Sequence, residues 1–228
     1  MVKAILFDKD GTLFGFDATW GPWTERILKE LSRDEDHLNA LAVAAGFNRK
    51  TQAFDPTSPV IAGTPEDAAR VIAPLLKTYT VATLTEALSR AAETVEPVEA
   101  VPLRPLLEQL AQDHKLGVMT NDAERAAHDQ LSRCGVTEYF DAIIGFDSGY
   151  GAKPDPDPLL AFAAMAGLAP GDIAMIGDSS HDLHAARAAG FVPVGVLTGP
   201  ATEDDLYAAG AAAVLSDIGA LPEYLAAR

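Results

Sequence analysis

Val2-Lys3-Ala4-Ile5-Leu6-Phe7-Asp8-Lys9-Asp10-Gly11-Thr12-Leu13 contains a short apolar run that stops abruptly at charge and glycine. Unbroken apolar residues up to Phe7, without alternation, predict a strand buried on both faces, as in a parallel sheet. Four later runs have the same form: Leu116 to Thr120, Ala142 to Ile144, Ile173 to Ile176 and Val192 to Leu197. Helical patterns lie between them. Leu103, Leu106, Leu107 and Leu110 keep helical spacing, and Pro158 to Ala166 is opened by Asp157 and closed by Gly167. Strands alternating with helices predict an α/β fold, a Rossmann-like doubly wound parallel sheet.

From about Phe16 to Pro97 the alternation stops, and four helical stretches follow one another without a strand. We therefore expect a Rossmann-like core from residues 1–15 and 98–228 and an inserted α-helical domain over 16–97. Within the insert, Ser32 and Glu35 form a capping-box pattern ahead of Leu38 and Leu41, with Gly46 as the stop. Thr64-Pro65-Glu66-Asp67 opens another helix, and Thr83 with Glu86 a third. Pro74 should divide the stripe Val71, Ile72, Leu75, Leu76. Phe47 to Gly63, with Arg49, Lys50 and two prolines, reads as a long loop.

The composition narrows the function. With 228 residues, 48% hydrophobic and 22% charged, the chain can bury a sizeable core. Seventeen Lys and Arg against 33 Asp and Glu give a net charge of -16, which repels nucleic acid and anionic lipid. An anionic substrate would then need local cations: a metal, a lysine or helix N-termini. The single cysteine, Cys134, allows no internal disulfide. Residues 1–16 break their apolar stretch with Asp8, Lys9 and Asp10, so they predict no signal peptide, and no run reaches membrane-span length. A cytoplasmic protein with neither nucleic-acid nor membrane partner, monomer or homodimer, is the expectation.

Asp8 and Asp10 follow the first strand, where open α/β sheets bind ligands. Two carboxylates facing one cavity repel each other and call for a cation, and Mg²⁺ prefers oxygen ligands. The bland alternative is a polar turn with solvated acids. Thr120-Asn121 ends the second strand with a hydroxyl and backbone N–H groups ahead of a helix, although an N-cap alone would explain it. Lys153 lies in Gly151-Ala152-Lys153-Pro154-Asp155 after the third strand, and Gly177-Asp178-Ser179-Ser180-His181-Asp182 brings two more carboxylates after the fourth. Each motif has an ordinary reading as a loop or cap. Four of them at the carboxyl ends of separate strands in one sheet do not.

These motifs resemble the haloacid dehalogenase superfamily: Asp-x-Asp-x-Thr, then Ser or Thr, then Lys, then Gly-Asp-x-x-x-Asp, all in order. The resemblance implies that Asp8 attacks phosphorus to form an aspartyl-phosphate and that Asp10 protonates the leaving alcohol and then activates water. Thr12 would hold the loop, Thr120 and the Asn121 backbone would bind phosphoryl oxygens, and Lys153 would neutralise Asp8 and the transferring group. Asp8, the Asp10 carbonyl and Asp178 would ligate Mg²⁺, with Asp182 in support. The implied activity is hydrolysis of a small phosphorylated metabolite, and the layout resembles phosphoglycolate phosphatases with small helical caps. Alternatives are a phosphomutase of the β-phosphoglucomutase type, a phosphonoacetaldehyde hydrolase using one of Lys29, Lys50 or Lys77, and a non-catalytic phosphate-binding or assembly protein. Lys9 departs from the family's frequent apolar residue there and could touch phosphate or point to solvent. His181 and His184 lack the thiolates typical of structural zinc. In the insert, Trp23, Ile27 and Leu31 read as cap core and Trp20 is undecided; Arg49 and Lys50 are solvated cations or, alternatively, grip a second anionic group.

Overall fold

The structure is a computed structural model that describes residues 2–55, 57–58 and 60–227. In chain order its elements are β1 (Ala4–Phe7), α1 (Phe16–Leu31), α2 (Glu35–Ala44), β2 (Phe47–Asn48), β3 (Ala53–Phe54), α3 (Pro65–Ile72), α4 (Val81–Ala92), α5 (Leu103–Leu110), β4 (Lys115–Met119), α6 (Glu124–Arg133), β5 (Ala142–Ile144), α7 (Asp157–Ala166), β6 (Ile173–Gly177), α8 (Ser180–Ala189), β7 (Val192–Val196), α9 (Glu203–Ala209), β8 (Ala213–Leu215) and α10 (Leu221–Ala226).

Six strands form one parallel sheet in the order β5-β4-β1-β6-β7-β8. β1 is central and fully buried because every one of its side chains meets a packed layer. Ile5 and Phe7 point to one face, among Leu103, Leu107 and Leu116; Ala4 and Leu6 point to the other, among Phe162, Met175 and Ala186. Each large apolar side chain removed from water contributes roughly 1.5–3 kcal/mol, so the residues of β1 anchor both layers. The sequence reading had five strands; β8 escaped it because Ala213-Val214-Leu215 is only three residues long and half-buried at the sheet edge.

Between β1 and α5 the chain forms an inserted helical cap. Four α-helices enclose their own apolar cluster, built from Phe16, Ile27, Leu41, Ala69, Leu84 and neighbours, with Trp23 and Leu31 packed against it. Its entry and exit run side by side: Gly15 N–H donates to the Val98 carbonyl at 2.9 Å, and Ala100 N–H to the Leu13 carbonyl at 2.9 Å.

Several local expectations need correction. The Phe47 to Gly63 loop contains a short antiparallel hairpin, β2 with β3, pairing Phe47 with Phe54; its two prolines, Pro56 and Pro59, lie outside the described residues. Aromatic packing, not β-propensity, holds it, since the Phe54 ring lies tilted at 5.0 Å from Phe47 and edge to face at 5.5 Å from Phe16, centre to centre. Ser32 does not open α2 in a capping box with Glu35. It terminates α1, and Asp34 caps α2 by accepting from His37 N–H at 2.7 Å. Likewise the box ahead of α4 is Thr80 with Thr83, not Thr83 with Glu86. Thr64 and Asp67 do box α3, which ends at Ile72 before a single 3₁₀ turn that holds Pro74.

Candidate active site

The connection leaving β1 leads to β4 on one side of it, and the helix after β6 leads to β7 on the other side. Adjacent strands whose connections diverge leave a crevice at their carboxyl ends, where ligands settle in open α/β sheets. Asp8 follows β1 there and Asp178 follows β6, with Asp8 N–H donating to the Ile176 carbonyl at 2.8 Å. Thr120 and Asn121 arrive from β4, and Lys153 from the loop after β5.

Lys153 is buried and joins two of the predicted acids. Its Nζ lies 2.5 Å from Asp8 Oδ1 and 2.7 Å from Asp182 Oδ1, and it donates to the Met119 carbonyl at 2.9 Å. Asn121 fixes the Lys153 backbone from both sides: Oδ1 accepts Lys153 N–H at 2.9 Å and Nδ2 donates to Lys153 O at 2.8 Å. Thr120 Oγ1 accepts Asp122 N–H at 3.1 Å, which leaves its own proton free for a ligand. Thr12 Oγ1 donates to Asp178 Oδ1 at 3.3 Å. The other oxygen of Asp182 accepts from Ser179 N–H and Oγ at 3.0 and 2.6 Å, so both its oxygens are engaged.

Backbone shape brings Asp178 into place. Gly11 has φ +88, and a Cβ at Gly11 or at Gly199 would fall on the Asp178 carboxylate. Thr198 Oγ1 ties the two loops by donating to the Gly11 carbonyl at 2.6 Å. Neither Thr198 nor Gly199 figured in the sequence reading, because the loop after β7 carries no charged motif.

Asp8, Asp178 and Asp182 offer carboxylate oxygens within 4.8 Å of one another, the only such group of three His, Cys, Asp or Glu side chains among the described residues. Burial raises Asp8 to about 7, with Lys153 opposing and Asp182 and Asp10 adding to the rise. Burial, then repulsion from Asp8 and Asp182, raises Asp178 well above the ordinary carboxylate value. Lys153 stays charged with its affinity for protons raised, because Asp182 and Asp8 outweigh burial. The centre therefore holds surplus negative charge on hard oxygen donors, which fits a hard divalent cation. Among the described residues His181 joins no such group; its Nδ1 donates to the Ala62 carbonyl at 2.9 Å.

Lys9 meets neither expectation. It is fully buried, its Nζ 2.7 Å from Asp10 Oδ2 and 3.1 Å from Asp122 Oδ2, and it donates to Gln130 Oε1. Burial disfavours its charge, but Asp10 and Asp122 more than compensate and raise its pKa. Trp20 Nε1 holds the other oxygen of Asp10 at 2.8 Å, and Lys9 sits 5.5 Å from the Trp20 ring centre. Asp10 is thus clamped outside the acidic cluster. Asp122 and Gln130 gave no local sequence signal for this, since each lies more than a hundred positions from Lys9, and Trp20, ten positions from Asp10, reaches it only through the packing of α1. Arg49 is no free cation either: it is half-buried and bridges Glu25 at 3.0 Å and Glu35 at 2.6 Å, while Lys50 is exposed. Burial, with Glu99 and Glu96, pushes the Cys134 thiol up to about 11, as expected of a packed cysteine.

The carboxylates open into a cavity of ≈130 Å³ whose far wall belongs to the cap, including Phe16, Trp20, Trp23 and Ile27.

Comparison with known proteins bears on the family and the fold. A Thiobacillus denitrificans protein named phosphoglycolate phosphatase is 31% identical over 216 residues, covering 90% of this chain and 89% of the relative. In fold, a Bacteroides fragilis protein assigned as a haloacid dehalogenase-like hydrolase superposes with TM-score 0.75 at 21% identity, over 97% of this chain and 100% of that one. A Thermotoga maritima protein assigned as a β-phosphoglucomutase does so with TM-score 0.69 at 19% identity, over 99% of each chain. The sequence profile of the haloacid dehalogenase-like hydrolases matches residues 2–190, and the chain belongs to that family.

Proposed function

We propose that the protein hydrolyses small phosphomonoesters by transferring the phosphoryl group to Asp8 and then to water. The observation that carries this reading is the convergence of Asp8, Lys153 and Asp178 at the switch point, beneath a cavity shared with the cap. Asp8 attacks phosphorus in line and expels the alcohol. Asp10, oriented by Lys9 and Trp20, gives the leaving oxygen its proton and then takes one from the attacking water. The Thr120 hydroxyl and the Asn121 backbone bind phosphoryl oxygens, and Lys153 offsets charge on Asp8 and on the group in transit. A divalent cation, Mg²⁺ on the all-oxygen donor set, would be held by Asp8, Asp178 and the Asp10 carbonyl, with Asp182 in support, and would supply neutralisation of phosphoryl charge. Residues 16–97 act as the cap that excludes water, hinged where segments 13–15 and 98–100 pair.

The test is Mg²⁺-dependent phosphate release across a panel of phosphomonoesters, with 2-phosphoglycolate included because of the Thiobacillus relative's name. Release abolished by EDTA and by Asp8→Asn supports the reading, and Asp10→Asn should lower kcat by ~10²–10⁴ in a protein that still folds. Release that persists in Asp8→Asn would end it; a hexose phosphate isomerised without free phosphate would replace it with a mutase.

A further inference from the structure

On the phosphomonoesterase reading, the phosphoryl end of the substrate lies against Asp8 and Lys153, and the rest of it meets the cap wall. That wall is apolar. Phe16, Trp20, Trp23, Ile27, Phe54 and Leu88 contribute to it, with Trp20 and Trp23 edge to face at 5.1 Å between ring centres. Lys153 and His181 are the only basic residues among the described ones lining the cavity. Lys153 is already shared between Asp8 and Asp182, and the Nδ1 of His181 is committed to the Ala62 carbonyl. Arg49, the cap cation with the most donors in use, is consumed by Glu25, Glu35 and Asn39 and does not line the cavity. Asp8, Asp10, Asp122 and Asp178 also face the same space.

A second anionic group on the substrate would therefore be desolvated beside four carboxylates with no unpaired cation to receive it, an unfavourable transfer. An uncharged apolar group meets the opposite conditions. The cavity, ≈130 Å³, receives the phosphoryl group at its carboxylate end and this apolar group at its cap end. We infer that the substrate is the phosphate monoester of an uncharged, mainly apolar alcohol, and that a carboxylate-bearing ester such as 2-phosphoglycolate is a poor substrate.

Benzyl phosphate and 2-phosphoglycolate are both primary alkyl esters, so comparing them isolates the group that meets the cap. The expected result is a kcat/KM at least ~10-fold higher for benzyl phosphate. Ala68→Arg, which adds a cation to the α3 side of the cavity, should shrink that ratio several-fold by raising turnover of 2-phosphoglycolate. A binding arm makes the test independent of turnover: titration calorimetry with Mg²⁺ present should show 2-phenylethylphosphonate binding at least ~10-fold more tightly than 3-phosphonopropionate. Equal or stronger handling of the carboxylate compounds in either arm overturns the inference. If neither ester is hydrolysed, the panel of phosphomonoesters decides the catalytic reading, and the binding arm alone decides whether the cavity prefers an apolar group.

Discussion

Lys9 is held by two carboxylates in a site it shares with no solvent, so removing its charge strands both acids. Lys9→Met should therefore destabilise the protein by ~3 kcal/mol or more in denaturant unfolding, although the new side chain is a good volume match. A melt unchanged from that of the parent would mean that the buried clamp does not form. The acidic centre makes a second prediction at the same scale. Asp8 has a folded pKa of about 7 against an ordinary 3.8, raised chiefly by burial, and Asp178 is raised as well. Such an acid binds more protons folded than unfolded, so its favourable contribution is complete below the ordinary value and is lost as pH rises toward 7. A divalent cation relieves that loss where the protons have gone. The rise in Tm on adding Mg²⁺ should thus be larger at pH 8 than at pH 5, by on the order of 5 °C for a chain of this size. An increment independent of pH would show that these carboxylates are already ionised at pH 5.

Helix caps separate what local sequence specifies from what it only suggests. Thr64-Pro65-Glu66-Asp67 was legible because proline at the first helical position leaves a single register for the box. Ahead of α4 the pattern Thr83 with Glu86 set the start three residues too late; starting at Val81, behind Thr80 and Thr83, adds Val81 to the cap cluster beside Leu84 and Leu88. Thermal unfolding should find Thr80→Ala about 1 kcal/mol less stable and Glu86→Ala within about 0.5 kcal/mol of the parent. The reverse order would restore the alternative register. The hairpin β2–β3 was missed because two-residue strands carry no periodicity; only the Asn48 side chain, accepting Lys50 N–H at 3.0 Å and Thr51 N–H at 3.3 Å, marks its turn.

Across the whole molecule, cap and core meet at the Ala62 carbonyl, which accepts from Asn121 Nδ2 and His181 Nδ1, both at 2.9 Å. His181→Ala should leave Tm within ~2 °C of the parent while raising amide exchange at residues 60–63 about fivefold, the effect of losing one hydrogen bond. Unaltered exchange there would mean that Asn121 alone sets the approach. The sequence by itself determined the central strand, the alternation around it and the order in which Asp8, Thr120, Lys153 and Asp178 leave successive strands. Those follow from local signals: unbroken apolar runs, and their abrupt stops at charge and glycine. Only the tertiary structure decided that Lys9 turns inward to Asp122, that Gly199 makes room for Asp178, and that the cap offers the phosphoryl site an apolar wall. Each of these pairs groups far apart in the chain, and burial, which sets both the charge partners a side chain needs and the space it is given, exists only once the layers have packed.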